Sequence, residues 1–439
     1  MRSIVGRGVS TRWLRLVAAA LASVMVAASL TSCTSTATTT AADSSSTKST
    51  IPQSAFRDYT GITPTTVTEG NVSTLTAGLF EGAVVGTKAY AAYVNSQGGI
   101  HGRRIVVDSY DDTYAGAANK QYTQEAVEKD FATVGGFSLQ DNFGGTVLAA
   151  NPQVPNVAVS LDPSAVDLPN SFSPDPAVRG WPLGPLTYFK NKFPDAVAHT
   201  GTLVADQPSA IGEWNDQRTA MEHAGYHIVY DQQFDLSQTD FDQNVIAMRN
   251  AGVRILFIEQ MPQNYAAAVV KALNLQNFHP VLVLGDATYS EELVPNSGGP
   301  GSIDGAYLEQ FFALYLGEDA DSIPAVHTFL TWVQKVSPGF KPDLFTLFGW
   351  LSGELFAEAL GSAGAHPSRG SVLQALRGIT SFTGGNLTGR TNPAAKTGAS
   401  GCYIIARIVD GKFQRLDDPP VNGPTHGYRC DQPFYYLPS

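Results

Sequence analysis

From about residue 60 onward, short β-branched runs alternate with longer stretches of helical period. The apolar runs predict strands over Thr65–Thr68, Arg104–Ser109, Phe131–Gly135, Val157–Leu161, Thr200–Val204, Ile228–Tyr230, Arg254–Ile258, Val281–Leu284 and Gly305–Gln310. Between them, Glu81–Asn95, Gly116–Lys129, Phe143–Asn151, Pro185–Lys192, Ile211–Ala224, Phe241–Ala251 and Asn264–Leu273 read as helices by period or length. Strands that alternate with helices build parallel βαβ units, so the expected class is α/β. Gly225 and Gly252 stand just past two of these helices, where a left-handed residue closes the last turn. Further on, Leu344–Leu360 puts Phe345, Phe348, Leu351, Leu355 and Ala359 on one face and keeps Glu354 and Glu358 off it, the pattern of a helix with one core-facing side. No tandem repeat interrupts the rhythm.

Before this body the pattern differs. Arg2, Arg7, Arg12 and Arg15 precede an uncharged apolar run, Leu16–Leu30, which stops at Thr31-Ser32-Cys33. That is the anatomy of a signal peptide over residues 1–32, and the run is short for a membrane span, which needs about 20 apolar residues. Leu30-Thr31-Ser32-Cys33 resembles a bacterial lipobox, which would make Cys33 a lipid-modified N-terminus; the alternative is an ordinary cleavage site with a chance cysteine. No Arg-Arg pair precedes the run, which favours Sec export over the twin-Arg route. Residues 33–56 are mostly Thr, Ser and Ala, too polar to bury area against the entropy of ordering, and read as a tether.

Charge narrows the partners. The chain of 439 residues carries 28 Lys plus Arg against 39 Asp plus Glu, a net −11. The first 32 residues hold four Arg and no acid, so the remainder has 24 bases against 39 acids, a net −15. Binding to nucleic acid is driven by a basic surface that releases counterions, and no such stripe exists here. The two remaining cysteines, Cys402 and Cys430, sit near the C-terminus of an exported chain, where disulfides persist, so a bridge between them is expected to pin the Pro-rich tail 417–439. Two thiols without a spaced His do not make a metal site, and no cofactor is expected. His223 and His227 are four apart, but Gly225 breaks the helix that would align them.

Gly86–Ile105 reads GTKAYAAYVNSQGGIHGRRI and is followed by Asp111-Asp112. A helix ending at Asn95, a Gly98-Gly99-Ile100 turn, Gly102-Arg103-Arg104 leading into a strand and then an acid pair resemble the type I periplasmic binding proteins, and within them the branched-chain-amino-acid substrate-binding proteins of ABC importers. Gly135-Gly136-Phe137-Ser138, Val154-Pro155-Asn156-Val157 leading to Ser160, Gln238-Thr239-Asp240-Phe241 and Cys402–Leu416 are similar to later elements of that family. The resemblance covers about residues 60–416. It implies two Rossmann-like α/β lobes joined by three crossings, near Arg179–Pro182, Leu308–Ala313 and Gly398–Cys402. The N-terminal lobe would take 57–180 and 311–398, and the C-terminal lobe 181–310 and 399–416.

In such sheets ligands bind beyond the carboxyl ends of the strands. The resemblance implies that an amino acid's carboxylate is held by Ser138 with Gln140 and by Ser160 with Asp162, and that Asp286 takes its ammonium. Glu259 and Gln260, after the strand Arg254–Ile258, would face the same cleft. Capping of the following helices is the other reading of Ser138 and Ser160, and a turn is the other reading of Asp286. Asp206-Gln207-Pro208-Ser209 stands where family members carry an aromatic-Gly pair, so a ligand-stacking ring is missing; Phe80 and Phe137 are alternative apolar walls or core residues. No G-x-S-x-G, G-x-x-x-x-G-K-[ST] or H-E-x-x-H motif occurs. The expected protein is therefore a monomeric lipoprotein at the outer face of the bacterial cytoplasmic membrane. It would capture a small polar solute by hinge closure for an ABC permease and perform no reaction. A ligand-sensing receptor module of the same fold and an exported hydrolase are the alternatives.

Overall fold

The computed structural model describes residues 50–160, 162–175, 180–259, 261–395, 400–430 and 434–436. The expected signal peptide, Cys33, the expected tether up to Ser49, Gln260 and Arg179 lie outside the described residues.

The first series of βα units runs β1 Thr66–Ser73, α1 Glu81–Ser96, β2 Arg104–Asp111, α2 Gly116–Lys129, β3 Ala132–Val134, α3 Asp141–Ala150, β4 Asn156–Val157, the single turn α4 Pro163–Val166 and β5 Ser171–Phe172. These strands form one parallel sheet in the order β2-β1-β3-β4-β5. The chain then passes through β6 Gly180–Pro182 into α5 Leu183–Lys192, β7 Thr200–Ala205, α6 Pro208–His223, β8 Ile228–Phe234, α7 Asp242–Ala251, β9 Ile255–Ile258, α8 Gln263–Leu275, β10 Val281–Leu284, two short turns α9 Leu293–Asn296 and α10 Pro300–Ile303, and β11 Tyr307–Gln310. It returns to pack α11 Pro324–Val336, α12 Leu344–Ser362 and α13 Arg369–Gly378 on the first sheet, and closes with β12 Ile404–Val409, β13 Lys412–Arg415 and β14 Phe434–Tyr436.

The second sheet has seven strands in the order β13-β12-β11-β10-β9-β7-β8 and is mixed: β7 to β11 are parallel, whereas β12 and β13 are antiparallel. Strands β7 and β9 are buried along their whole length, as expected where helices cover both faces of a parallel sheet. β14 pairs antiparallel with β6, and a Cys402–Cys430 disulfide ties the segment before it to the start of β12.

Three expectations change. The strand expected over Val157–Leu161 is only two residues long, because the chain leaves the sheet after Val157. α12 is sheltered nearly all round rather than on one face, since it packs against α1 and α13, with Glu354 half-buried and Glu358 exposed. Helices α11 and α13 form where no helix was predicted.

The contact of α1 with α12 is a backbone-to-backbone approach. A Cβ on Gly86 would fall on the Thr346 carbonyl oxygen, and one on Gly349 would fall on that of Ala83. Nearby, Arg369 on α13 is buried and donates to the carbonyls of Val127, Asp130 and Phe131 and to Asp58 Oδ2 at 2.9 Å, joining the N-terminal segment to the end of α2.

Candidate functional site

The loops that follow the strands of the two sheets meet. The Tyr114 hydroxyl, after β2, donates to Gln207 Oε1, after β7, at 2.7 Å. On the other rim Lys341, before α12, pairs with Glu291, after β10, at 2.5 Å. These contacts bridge a cleft walled by the strand ends of both sheets. The Asp206–Ser209 segment thus offers a side-chain amide to the opposite lobe where an aromatic was expected.

On the wall of the first sheet, Ser138 is buried and its hydroxyl is engaged by protein. It donates to Asp112, lies 3.2 Å from Thr74 Oγ1, and accepts the Gln140 N–H at 2.9 Å. Asp112, wholly buried, also accepts from Thr74 at 2.7 Å, Asn119 at 2.9 Å and the Tyr114 N–H at 3.0 Å. This network fixes the loops after β1, β2 and β3 relative to one another. Gln140 is half-buried and immediately precedes α3. Ser160 is half-buried beyond the end of β4, and Asp162 caps α4 by accepting the Ser164 N–H at 2.8 Å. Phe80 and Phe137 are core residues: their rings pack 4.9 Å apart, and both touch Phe345.

The wall of the second sheet is acidic. Asp286, half-buried, opens a 3-10 turn after β10; burial, and then the charge of Asp175, push its carboxyl up to about 7. Glu259, immediately after β9, is only 6% exposed and takes the Gln217 amide at 2.6 Å through Oε2. Burial raises it to about 8 against the pull of Gln217, with Asp286 and Glu213 adding repulsion. The sequence reading therefore brings Asp286 and Glu259 together, while Gln260 lies outside the described residues.

It missed Asp175, Glu213, Gln217 and Glu309. Glu213 and Gln217 sit one turn apart on α6, so they share a side. Glu309 is a fully buried acid on β11. Its signal was available: one carboxylate inside the apolar run Ala306-Tyr307-Leu308-Glu309-Gln310-Phe311-Phe312. Asp175 stands between Pro174 and Pro176, where no pattern marked it.

An open depression of about 430 Å³ lies elsewhere, on the outer side of the first sheet among Lys88, Asn95 and Arg104. The Asn95 side chain there is already bonded to the Ile105 backbone in both directions, at 2.8 Å each. Among the described residues no helix is long and apolar enough to cross a membrane.

The sequence profile of the periplasmic binding proteins matches residues 70–412, most of the chain and both sheets. The chain belongs to the periplasmic binding protein family, type I. The fold of this periplasmic binding protein recurs in solved structures of low identity. A branched-chain amino acid ABC transporter protein from Thermus thermophilus with bound valine is 18% identical, with a TM-score of 0.67 over 80% of this chain and 95% of that one. A fatty acid ABC transporter substrate-binding protein from Thermomonospora curvata is 13% identical, with a TM-score of 0.67 over 87% of this chain and 95% of that one. The branched-chain amino acid transporter substrate binding protein of Streptococcus pneumoniae, in complex with isoleucine, is 16% identical, with a TM-score of 0.64 over 84% and 100%. No curated protein matches the chain.

Proposed function

We propose that this protein is an extracytoplasmic solute-binding lipoprotein of an ABC importer, anchored through Cys33, which captures a small polar solute bearing an amine or amide and delivers it to a permease. The observation that carries this reading is the cleft itself: strand ends from two lobes, bridged by Tyr114–Gln207, with the Asp286 carboxyl between them. Residues 57–180 with 311–398 form one lobe and 181–310 with 399–416 the other. A solute that touches both lobes only when they are closed shifts the open–closed equilibrium by its differential affinity, and a permease reads the closed shape. Asp286 serves the amine, and the backbone and hydroxyl groups of the loops after β3 and β4 serve the opposite end. No covalent step is required.

A thermal-shift screen of the full-length protein against amino acids, amides, small organic acids and sugars tests the reading. A solute at 100 times its Kd adds about 2.7 kcal/mol. A selective upward shift, lost in Asp286→Ala, is the expected result, with the solute recovered unchanged after calorimetry. A screen without any shift overturns solute capture. Anchoring is tested separately: Cys33→Ser is expected to move the protein from the membrane fraction to the soluble fraction, and unchanged fractionation rejects the anchor.

A further inference from the structure

The second lobe brings more acid to the cleft than one amine needs. By register, Leu284 on β10 lies between Ile258 on β9 and Leu308 on β11, so Gly285 falls between Glu259 and Glu309. A Cβ on Gly285 would sit 2.8–2.9 Å from the Cα, Cβ and Cγ of Glu259. The missing side chain is what lets Glu259 lie over the sheet end, beside Glu309 on the next strand. From above, α6 adds Glu213 and, through Gln217, a hydrogen bond to Glu259. Asp286 and Asp175 complete the group, each close enough to disturb its neighbours: Glu213 is raised by the protein packed round it and then by Asp286 and Asp175. Glu213 keeps an exposed surface, so water in the cleft screens part of that repulsion.

Within this group several oxygens have no partner. Glu259 Oε1 and both oxygens of Glu309 are buried and make no hydrogen bond. The Trp181 indole lies close enough to Glu309 to favour its ionised form, yet completes no hydrogen bond by distance and angle. Buried polar atoms are nearly always paired, because an unpaired one forfeits its hydration without return. A metal ion does not answer the need: among the described residues no three His, Cys, Asp or Glu converge tightly enough to hold one. An organic cation does, since N–H donors can meet carboxyl oxygens that sit on different strands and on α6 without converging on one point. The described cation at the rim, Lys341, is already paired with Glu291, and Arg179, before β6, lies outside the described residues.

We propose, resting on the reading of this cleft as a solute site, that its ligand carries two cationic groups, amine or guanidine, one met by Asp286, Asp175 and Glu213 and the second by Glu259. Glu309 stands behind Glu259 and acts through it as a positioning residue. Empty, the buried carboxyls hold protons at neutral pH; a dication favours their charged forms, so binding releases protons.

Calorimetry of the full-length protein with agmatine, which has two cations, and L-norleucine, which has one, at pH 7.5 in phosphate and in Tris, tests this. Agmatine is expected to bind at least tenfold more tightly than norleucine and with proton release, seen as a buffer-dependent heat. Glu259→Gln is expected to remove the preference and to reduce the buffer dependence, the rest of which comes from Asp286 and Glu213. Glu213→Gln, at an exposed position of α6, is expected to weaken agmatine severalfold, and serves if Glu259→Gln does not fold. Norleucine binding as tightly as agmatine, or agmatine binding that both variants leave intact, overturns the inference while solute capture stands. Failure of agmatine alongside a hit for a singly charged or neutral solute in the thermal screen does the same. Failure of agmatine with a blank screen overturns both.

Discussion

Raising the pH from 5.5 to 8.5 is expected to lower the melting temperature by about 5 °C or more, the opposite of a protein held together by paired carboxylates. Glu259 is raised to about 8, and Asp130 and Glu354 to about 7, each chiefly by burial. Glu69, in the middle of β1, is buried with neither oxygen hydrogen-bonded and is pushed well above the usual carboxylate range, first by burial and then by Asp130. A carboxyl whose pKa is higher in the folded than in the unfolded chain contributes its full stability below the unfolded value. That contribution is lost as the pH climbs through the folded value, here between about 4.5 and 8. Together these groups amount to an effect on the order of several kcal/mol. Groups of the opposite kind act lower on the scale: Ser237 holds Asp235 down, and Thr60 and Arg369 hold Asp58 down against its burial, and both lose their contribution only as the pH falls below about 4. The maximum therefore falls near pH 5. Glu69→Gln is expected to flatten the alkaline limb in a differential scanning series; a melting temperature that rises from pH 5.5 to 8.5 rejects the account.

Gly86→Ala and Gly349→Ala are each expected to cost about 2–4 kcal/mol, although alanine is the better helix former. In both cases the new methyl would occupy the space of a carbonyl oxygen on the facing helix, and backbone cannot step aside as a side chain can. Gly361→Ala, on the same helix α12, is the control. Its Cβ would meet only Ile100 Cγ2, at 4.0 Å, so it is expected to be neutral or slightly stabilising. Urea unfolding of the three variants gives the comparison, and equal midpoints would remove close helix approach as the explanation.

Much of the fold was legible because its signals are local. The β-branched runs at Arg104–Ser109, Arg254–Ile258 and Val281–Leu284 each lie within or coincide with a strand to within one residue. The two cysteines near the C-terminus, Cys402 and Cys430, do bridge. Helix α13 escaped notice because its start, Ser368-Arg369-Gly370-Ser371, reads as a loop; only the reciprocal bonds of Ser368 and Ser371 make it a helix cap. α11 begins after a stretch of Gly, Asp and Ser, and its Pro324 is a first-turn residue rather than a breaker.

The site was less legible, since its neighbours are set by sheet register rather than by spacing along the chain. Glu259 was found because it directly follows a strand, and Asp286 because the resemblance places it in the loop after the next one. Glu309 is one of the last residues of its strand, Glu213 is inside a helix and Asp175 is in a connection, so nothing local links them. Ser138 and Asp162 show the converse: residues that fit a ligand loop by position are engaged by protein, Ser138 by Asp112 and the Gln140 N–H and Asp162 by the first turn of α4.

The ribbon formed by β14 and β6 has a mechanical meaning. β6 belongs to the connection between the two sheets, and a strand hydrogen-bonded along its length resists twisting. The antiparallel bridge of Tyr403 with Arg429, the Arg429–Asp418 ion pair at 2.7 Å and the disulfide fasten the same tail to the start of β12, the far end of another connection. β6 and the start of β12, which lie by two of the expected crossings, are thus held by one C-terminal segment. After β11 the Gln310 side chain accepts the N–H groups of Phe311 and Phe312, contacts that stay within that stretch. Movement of one sheet against the other is expected to follow the direction that this C-terminal segment, far from the carboxyls in sequence, leaves unrestrained.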